Sequence, residues 1–285
     1  MPMPASRIAK GAAVVVLSPF LSFVPVLAQS SQVQPNALIR EVVQNEMRAE
    51  DQDNSHWMFR LDTENKNGPR EVDEVVETRN GDLKRPILIN GRELTPKERQ
   101  EADRQLGHNP QTLQKTLKDK NEDAARSKRL LGMLPEAFTF SSGGQRGDLR
   151  QVTFKPNPGF HPKSHEAEVF HAMEGQIWVD EKQKRLAEIS GHLIEPVKFG
   201  GGLLGHLDKG GTFDVKQKEV APGYWELTLL NVDMKGKVLF FKTISVHQKE
   251  SRTEFKRVSD NLTVAQAADT LRTQTISKEQ ASNGR

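Results

Sequence analysis

Between residues 169 and 258 one alternating apolar segment follows another, and the gaps between them are too short for anything but an antiparallel sheet. Strands are predicted at 169–173, 176–180, 185–194, 212–216, 224–232, 237–248 and 252–258. Turns are predicted at Glu174-Gly175, 181–184, Pro222-Gly223 and 234–236. Parallel neighbours need a crossover of about a dozen residues or more, and gaps of this length leave no room for one.

The first half of the chain mixes the two periods. Asn36 is expected to cap a helix running to about residue 50, with Leu38, Ile39, Val42, Val43 and Met47 on one side. Trp57, Phe59 and Leu61 then alternate with Met58, Arg60 and Asp62, the period-two pattern of a half-buried strand. Further strands at 71–79 and 83–89 are punctuated by Asn80-Gly81 and Asn90-Gly91. Thr95-Pro96-Lys97-Glu98 supplies an N-cap hydroxyl, a proline at the first helical position and a capping-box glutamate, and Gly107 ends that helix. Asn109-Pro110 starts a charged helix to about residue 131, with Leu113, Leu117, Ala124 and Leu130 its sparse apolar positions. Strand character returns with Phe138 and Phe140, then Val152 and Phe154. A short helix is expected at 261–272 and a polar, disordered tail after it.

The N-terminus carries a different signal. Arg7 and Lys10 precede an apolar run over 11–27 that ends in Val26-Leu27-Ala28, the pattern of a secretory signal cleaved after Ala28. Pro19 and Pro25 interrupt that run and leave it too short for a membrane-spanning helix. Residues 29–35 read as a flexible leader, and the exported product is expected in the periplasm or outside the cell. The chain contains no cysteine, which rules out disulfides, thiolate chemistry and lipidation of an N-terminal cysteine.

Forty-one Lys and Arg face 38 Asp and Glu, and two of the cations, Arg7 and Lys10, leave with the signal. The remaining charges are nearly balanced and interspersed, so a nucleic-acid partner is not expected. No later apolar run is long enough to span a bilayer.

Candidate chemistry is thin. His161, His165, Glu166, Glu168 and His171 are metal-ligand types, but their spacing does not converge. On a strand His165 and His171 lie about 20 Å apart. On a helix they are rotated by about 120°. Only a loop bent through Pro162 would gather them, so no metal or other cofactor is expected. A metal-assisted hydrolase using His161, His165 and His171 is the alternative from a different class. The glycine-rich run over 200–211 lacks the Gly-Lys-Ser/Thr of a phosphate loop and reads as a β-connection. There is no Gly-x-Ser-x-Gly elbow, and an enzyme is not expected.

The apolar strand faces remain. Trp57/Phe59/Leu61, Ile177/Val179, Phe213/Val215 and Trp225/Leu227/Leu229 each read as one side of a strand, while Trp178 alternates to the other side. With only three sizeable helices to cover one sheet, part of such a face is available to an apolar ligand.

Several segments carry a resemblance: the apolar leader, the N-terminal helix, Trp57-Met58-Phe59-Arg60-Leu61, Gly175-Gln-Ile-Trp-Val-Asp180 and Arg185-Leu-Ala-Glu-Ile-Ser-Gly191. Lys209-Gly-Gly-Thr-Phe213, Gly223-Tyr-Trp225 and Gly236-Lys-Val-Leu-Phe-Phe-Lys242 extend it. Together they resemble the LolA/LolB-like superfamily of periplasmic lipoprotein carriers and envelope sensors. The resemblance implies an α+β fold over residues 36–260: a single antiparallel half-barrel sheet of about ten strands, with helices closing its concave face. The charged helices at about 96–131 would be an insertion. It further implies a soluble binding protein that holds a lipid or lipoprotein acyl chain without bond chemistry, with Trp57, Phe59, Leu61, Ile177, Val179, Phe213, Trp225, Leu227 and Leu229 lining the hollow. The expected partners are a lipid or lipidated protein and an envelope protein. An envelope scaffold or sensor acting through its surface is the second reading.

Overall fold

The computed structural model describes residues 34–66, 68–107, 109–202, 204–238 and 242–274. The expected signal, cleavage site and leader fall outside them, apart from Gln34 and Pro35, as does the tail after residue 274.

Helix α1 (Pro35–Gln52) buries Leu38, Ile39, Val42 and Val43 along one stripe. It begins one residue before the predicted cap. Pro35 takes the first helical position, where its missing N–H costs nothing, and Gln34 precedes it without a side-chain cap. Helix α2 (Pro96–Gln105) has the predicted capping box: Glu98 N donates to Thr95 Oγ1 at 3.3 Å and Thr95 N to Glu98 Oε2 at 2.7 Å. Gly107 follows it with φ +72°, which a Cβ would resist. Asn109 Oδ1 accepts from Gln111 N and Thr112 N at the start of α3 (Pro110–Ala137). This helix runs six residues past the predicted end and through Pro135, because Leu134 and Ala137 are buried in the core.

Helix α4 (His165–His171) stands where a strand was expected at 169–173. Ser164 Oγ caps it by accepting from Ala167 N at 3.2 Å, and Ala167 is buried. The last helix, α5 (Val264–Gln274), starts after Thr263, whose hydroxyl accepts from Gln266 N at 3.2 Å. Among the described residues no helix is long and apolar enough to cross a membrane.

The strands are β1 (His56–Asn65), β2 (Glu71–Val76), β3 (Leu83–Ile89), β4 (Arg92–Glu93), β5 (Phe138–Arg146), β6 (Leu149–Pro156), β7 (Met173–Asp180), β8 (Arg185–Leu193), β9 (Val197–Phe199), β10 (Gly205–Leu207), β11 (Thr212–Ala221), β12 (Tyr224–Val238) and β13 (Lys242–Val258). They form one open sheet of 13 strands in the order β4-β3-β2-β1-β13-β12-β11-β8-β7-β6-β5, with β10 on β12 and β9 on β10. The pairs are antiparallel. Three very short strands, β4, β9 and β10, are the ones the sequence pattern did not suggest.

Two predicted turns are strand interior instead. Gly175 lies within β7, where a Cβ would meet Ser190 O at 2.0 Å, and Gly236 lies within β12, where a Cβ would meet His206 O at 2.1 Å. Both glycines permit a close approach of a neighbouring strand rather than a reversal of the chain. The glycine-rich segment is a connection only in part: a short 3-10 turn over Gly200–Gly202 joins β9 to β10, and Gly205–Leu207 within the run is β10 itself, paired with β12.

The helices make their main contacts with β2, β3, β5, β8 and β9. On one side α1 and the end of α3 seal the largest core, with Val152, Phe154, Ile177, Val179 and Leu186 beneath them. On the opposite side α5 and Leu106 cover Met58, Val76 and Leu83. That second side also holds charge: Arg85, Glu74 and Arg60 are successive cross-strand partners, with Asp103 on Arg85 at 2.7 Å and Glu254 on Arg60 at 3.2 Å.

Candidate functional site

The side of the sheet under α1 changes character along its width. One cross-strand row shares this face because directly opposed antiparallel residues point the same way. It begins with Glu71, Thr63 and Glu250 on β2, β1 and β13. It continues through Leu230, Val215 and Ile189 on β12, β11 and β8, and ends under α1 with the buried Ile177 and Val152. A parallel row runs from Gln248 to Val232, Phe213 and the glycine pair Gly191–Gly175. Along these two rows polar side chains come from β2, β1 and β13 and apolar ones from β12 to β6, while Leu61, Phe59 and Val75 of the same face form a separate buried apolar group.

The middle of this face is incompletely covered. Phe213, Val215, Leu230, Val232 and Met234 are half-buried, and Val246, opposite Met234, is 45% exposed. Leu230 to Met234 extends about 14 Å along β12 at the usual strand rise. The result is an apolar strip between two closed cores.

The predicted hollow residues do not form one group. Trp57, Phe59 and Leu61 are buried with Val75 and pack against Phe255; the Phe59 and Phe255 rings stack at 5.4 Å. Ile177 and Val179 are buried in the large core, where α1 already fills the space over them. Phe213 packs at the edge of that core and belongs to the open strip. Trp225 and Leu227 are half-buried, and Trp225 Nε1 donates to Gln183 Oε1 at 3.0 Å.

Leu229 faces the other side. Lys216 pairs with Leu229 while Gln217 pairs with Leu227, so Thr228 is an extra residue that breaks the alternation predicted for Trp225/Leu227/Leu229. Leu230, overlooked in that pattern, takes the place on the α1 side. Trp178 behaves as expected for an opposite-face residue: it is half-buried, with the Arg146 guanidinium 4.4 Å from its ring.

Electrostatics mark the polar end. Asp73, on the α1 side between Leu61 and Pro86, is 7% exposed. Among the described residues none gives it a hydrogen bond or ion pair. Burial pushes its carboxyl up to about 6, with the Glu71 carboxylate adding to the rise. Glu226 is pushed up to about 7, chiefly by burial and then by Glu77 and Asp53. Glu77 accepts from Lys120 Nζ of α3 at 2.7 Å, and Asp82 lies 3.5 Å from the same ammonium. Arg252 reaches Glu250 at 3.4 Å and lies over the Phe59 ring, and its Nε has no acceptor. No motif announces Asp73, Glu226 or Arg252. The only trace in the sequence is that Asp73 shares the parity of Val75.

The histidine cluster is divided among separate contacts. His165 Nδ1 lies 3.1 Å from Glu168 Oε2 of its own helix. His171 donates through Nε2 to Asn157 O at 2.8 Å, which fixes a proton on that nitrogen. His161 lines a cleft of about 610 Å³ with Arg40, Glu136 and Lys163. Among the described residues no three His, Asp or Glu side chains are placed to hold a metal ion.

No family model, no curated protein and no solved structure matches this chain.

Proposed function

We propose that this is an exported binding protein whose sheet, curved as a half-barrel with helices on its concave face, holds the alkyl part of a lipid or lipoprotein acyl chain. The observation that carries the reading is the apolar strip of half-buried Phe213, Val215, Leu230, Val232 and Met234 with exposed Val246 beside them. It lies on the α1 side, between two cores that are already closed. Each methylene moved from water onto such a strip contributes about 0.8 kcal/mol, so burial alone supplies affinity and no bond chemistry is required. The apolar leader before Ala28 supports export, and the resemblance to LolA/LolB-like carriers agrees with an apolar cargo. Mass spectrometry of a solvent extract of the natively purified protein tests the reading directly. A stoichiometric lipid is expected. An empty extract, together with no saturable fatty-acid binding by the stripped protein, would reject it.

A second reading has one observation behind it. Because α1 fills the space over Ile177 and Val179, the β6–β8 part of the face is closed by the chain itself. A domain of that kind works through its surface as an envelope scaffold or sensor, and an empty, lipid-indifferent protein would favour it.

A further inference from the structure

We infer that the cleft between α1, the end of α3 and the segment 157–164 binds a small amphipathic acid, with its carboxylate on Arg40 and Lys163 and its apolar part against Phe160. This site is separate from the strip on β11 and β12 and does not depend on the lipid-binding reading.

The cleft measures about 610 Å³, within the range of sites that take small organic ligands. Its walls are held by hydrogen bonds that do not involve its charges. Asn157 N donates to Ala137 O at 2.9 Å and Asn157 Nδ2 to Glu136 O at 2.8 Å, which ties the segment to the end of α3. Phe160 N donates to Asn157 O at 3.0 Å, and the same carbonyl accepts from His171 Nε2 at 2.8 Å. The Phe160 ring lies 5.2 Å from the His171 ring and packs against the large core. Phe160, Met133 and Pro135 are half-buried and supply the apolar part of the lining.

Arg40 and Lys163 are the formal cations of this cleft, and Glu136 is its carboxylate. Among the described residues none of the three side chains forms an ion pair, with one another or with any other group. Other clefts are different. In one of about 630 Å³, Arg104 is held by Glu101 at 3.0 Å. In one of about 390 Å³, Arg185 and Arg257 are held by Glu46 and Asp260 at 2.8 Å each. Arg40 and Lys163 can therefore take an anion without first giving up a partner. Two cations less one carboxylate leave a formal excess of one positive charge, which suits a monoanion. The guanidinium fork matches the two oxygens of a carboxylate. An inorganic anion would leave Phe160 and Met133 uncovered, and an ammonium would meet two cations for one carboxylate.

The test is a heteronuclear NMR titration of the full-length mature protein with 4-phenylbutyrate, 4-phenylbutanol, 4-phenylbutylamine and inorganic phosphate. Phenylbutyrate is expected to shift the backbone amides of Arg40 and of residues 157–164 saturably. It should bind about tenfold or more tighter than the alcohol or the amine, the size of one charge-assisted hydrogen bond. Phosphate at the same concentration is expected to leave those amides in place. Arg40→Gln and Lys163→Gln should each weaken phenylbutyrate by about tenfold, the same one-bond increment. Arg48→Gln removes the same charge from an exposed arginine of α1 outside the cleft and should change nothing. All three side chains are exposed, so the variants are expected to keep the fold, and their amide spectra verify it. Equal binding of acid, alcohol and amine would overturn the inference, as would phosphate binding of equal strength. So would shifts confined to residues outside the cleft, full affinity in Arg40→Gln and Lys163→Gln, or a loss of equal size in Arg48→Gln.

Discussion

Glu46 of α1 and Arg185 of β8, 139 residues apart, form a two-pronged ion pair at 2.8 and 3.1 Å, and Glu46 also accepts from Leu186 N at 2.7 Å. Glu46 is 5% exposed. This contact fixes the C-terminal half of α1 over the sheet and thereby decides how much of the apolar face is closed.

Removing one partner leaves the other charge buried. Arg185→Ala and Glu46→Ala are each expected to cost about 3 kcal/mol of unfolding free energy, the usual penalty for a broken buried pair. The double replacement should cost less than the sum of the two. Urea unfolding of the three variants measures this, and strict additivity would show that the pair is not coupled. If α1 loosens, Ile177 and Val179 become reachable, and a hydrophobic dye should bind to Glu46→Ala more than to the parent.

Asp73 and Glu226 make stability depend on pH in the direction opposite to that of paired carboxylates. Both carboxyls are raised in the folded state, Asp73 to about 6 and Glu226 to about 7, so the folded chain holds protons that the unfolded chain has released. Stability is therefore highest below about pH 4 for these two groups and falls as pH rises toward 6 for Asp73 and toward 7 for Glu226. Each contributes a loss on the order of 2–3 kcal/mol across its window. Asp73→Asn and Glu226→Gln should each raise the melting temperature at pH 8 by several degrees, at about 2–4 °C per kcal/mol for a chain of this size, and have little effect at pH 4. A destabilised Asp73→Asn at pH 8 would mean that this carboxylate has a partner.

Gly175 and Gly236 test the two places where predicted turns became strand. A methyl group at Gly175 would sit 2.0 Å from Ser190 O, against backbone that cannot move aside without shifting β8. Gly175→Ala should cost about 3 kcal/mol, at the upper end of overpacking penalties. Gly68→Ala is the control, since its nearest atom would be Asn65 Cβ at 3.7 Å. Thermal unfolding of both variants compares them, and equal melting temperatures would contradict the close approach.

These two glycines show why part of the fold was legible and part was not. Local chemistry announced α2 and α3, because Thr95, Glu98 and Asn109 act within one turn of themselves. Period-two alternation announced β1 and β7, and the Asn-Gly pairs at 80–81 and 90–91 announced β3, for the same reason. Glycine is ambiguous from sequence: a turn and a close approach of a distant strand select the same residue, and only the partner at Ser190 or His206 decides between them. The end of α3 escaped because Leu134 and Ala137 are held by residues far away in the chain. The candidate site was half visible. The apolar side chains on Trp57, Ile177 and Phe213 could be read, but the extra residue Thr228 inverted Leu229, and the burial of Asp73 depends on strands outside its own segment.

The bulge at Thr228 gives the sharpest test of where a chain lies. Leu229 and Leu230 are adjacent and chemically identical, yet Leu229 pairs with Lys216 and Ser251 on one side while Leu230 pairs with Val215 and Glu250 on the other. Only Leu230 belongs to the α1 side. Leu230→Asn should weaken hexadecanol binding by about 1–3 kcal/mol, the apolar contact of one side chain, and Leu229→Asn should leave it unchanged. Both residues are half-buried, so both variants are expected to remain folded, and circular dichroism at the assay temperature checks this. Trp178 supplies an internal reference because its ring lies on the far side under Arg146. A ligand on the strip should alter the emission of Trp57 or Trp225 and leave that of a Trp178-only variant constant. If Leu229→Asn is the variant that loses binding, or the Trp178-only protein responds, the ligand occupies the α5 side of the sheet.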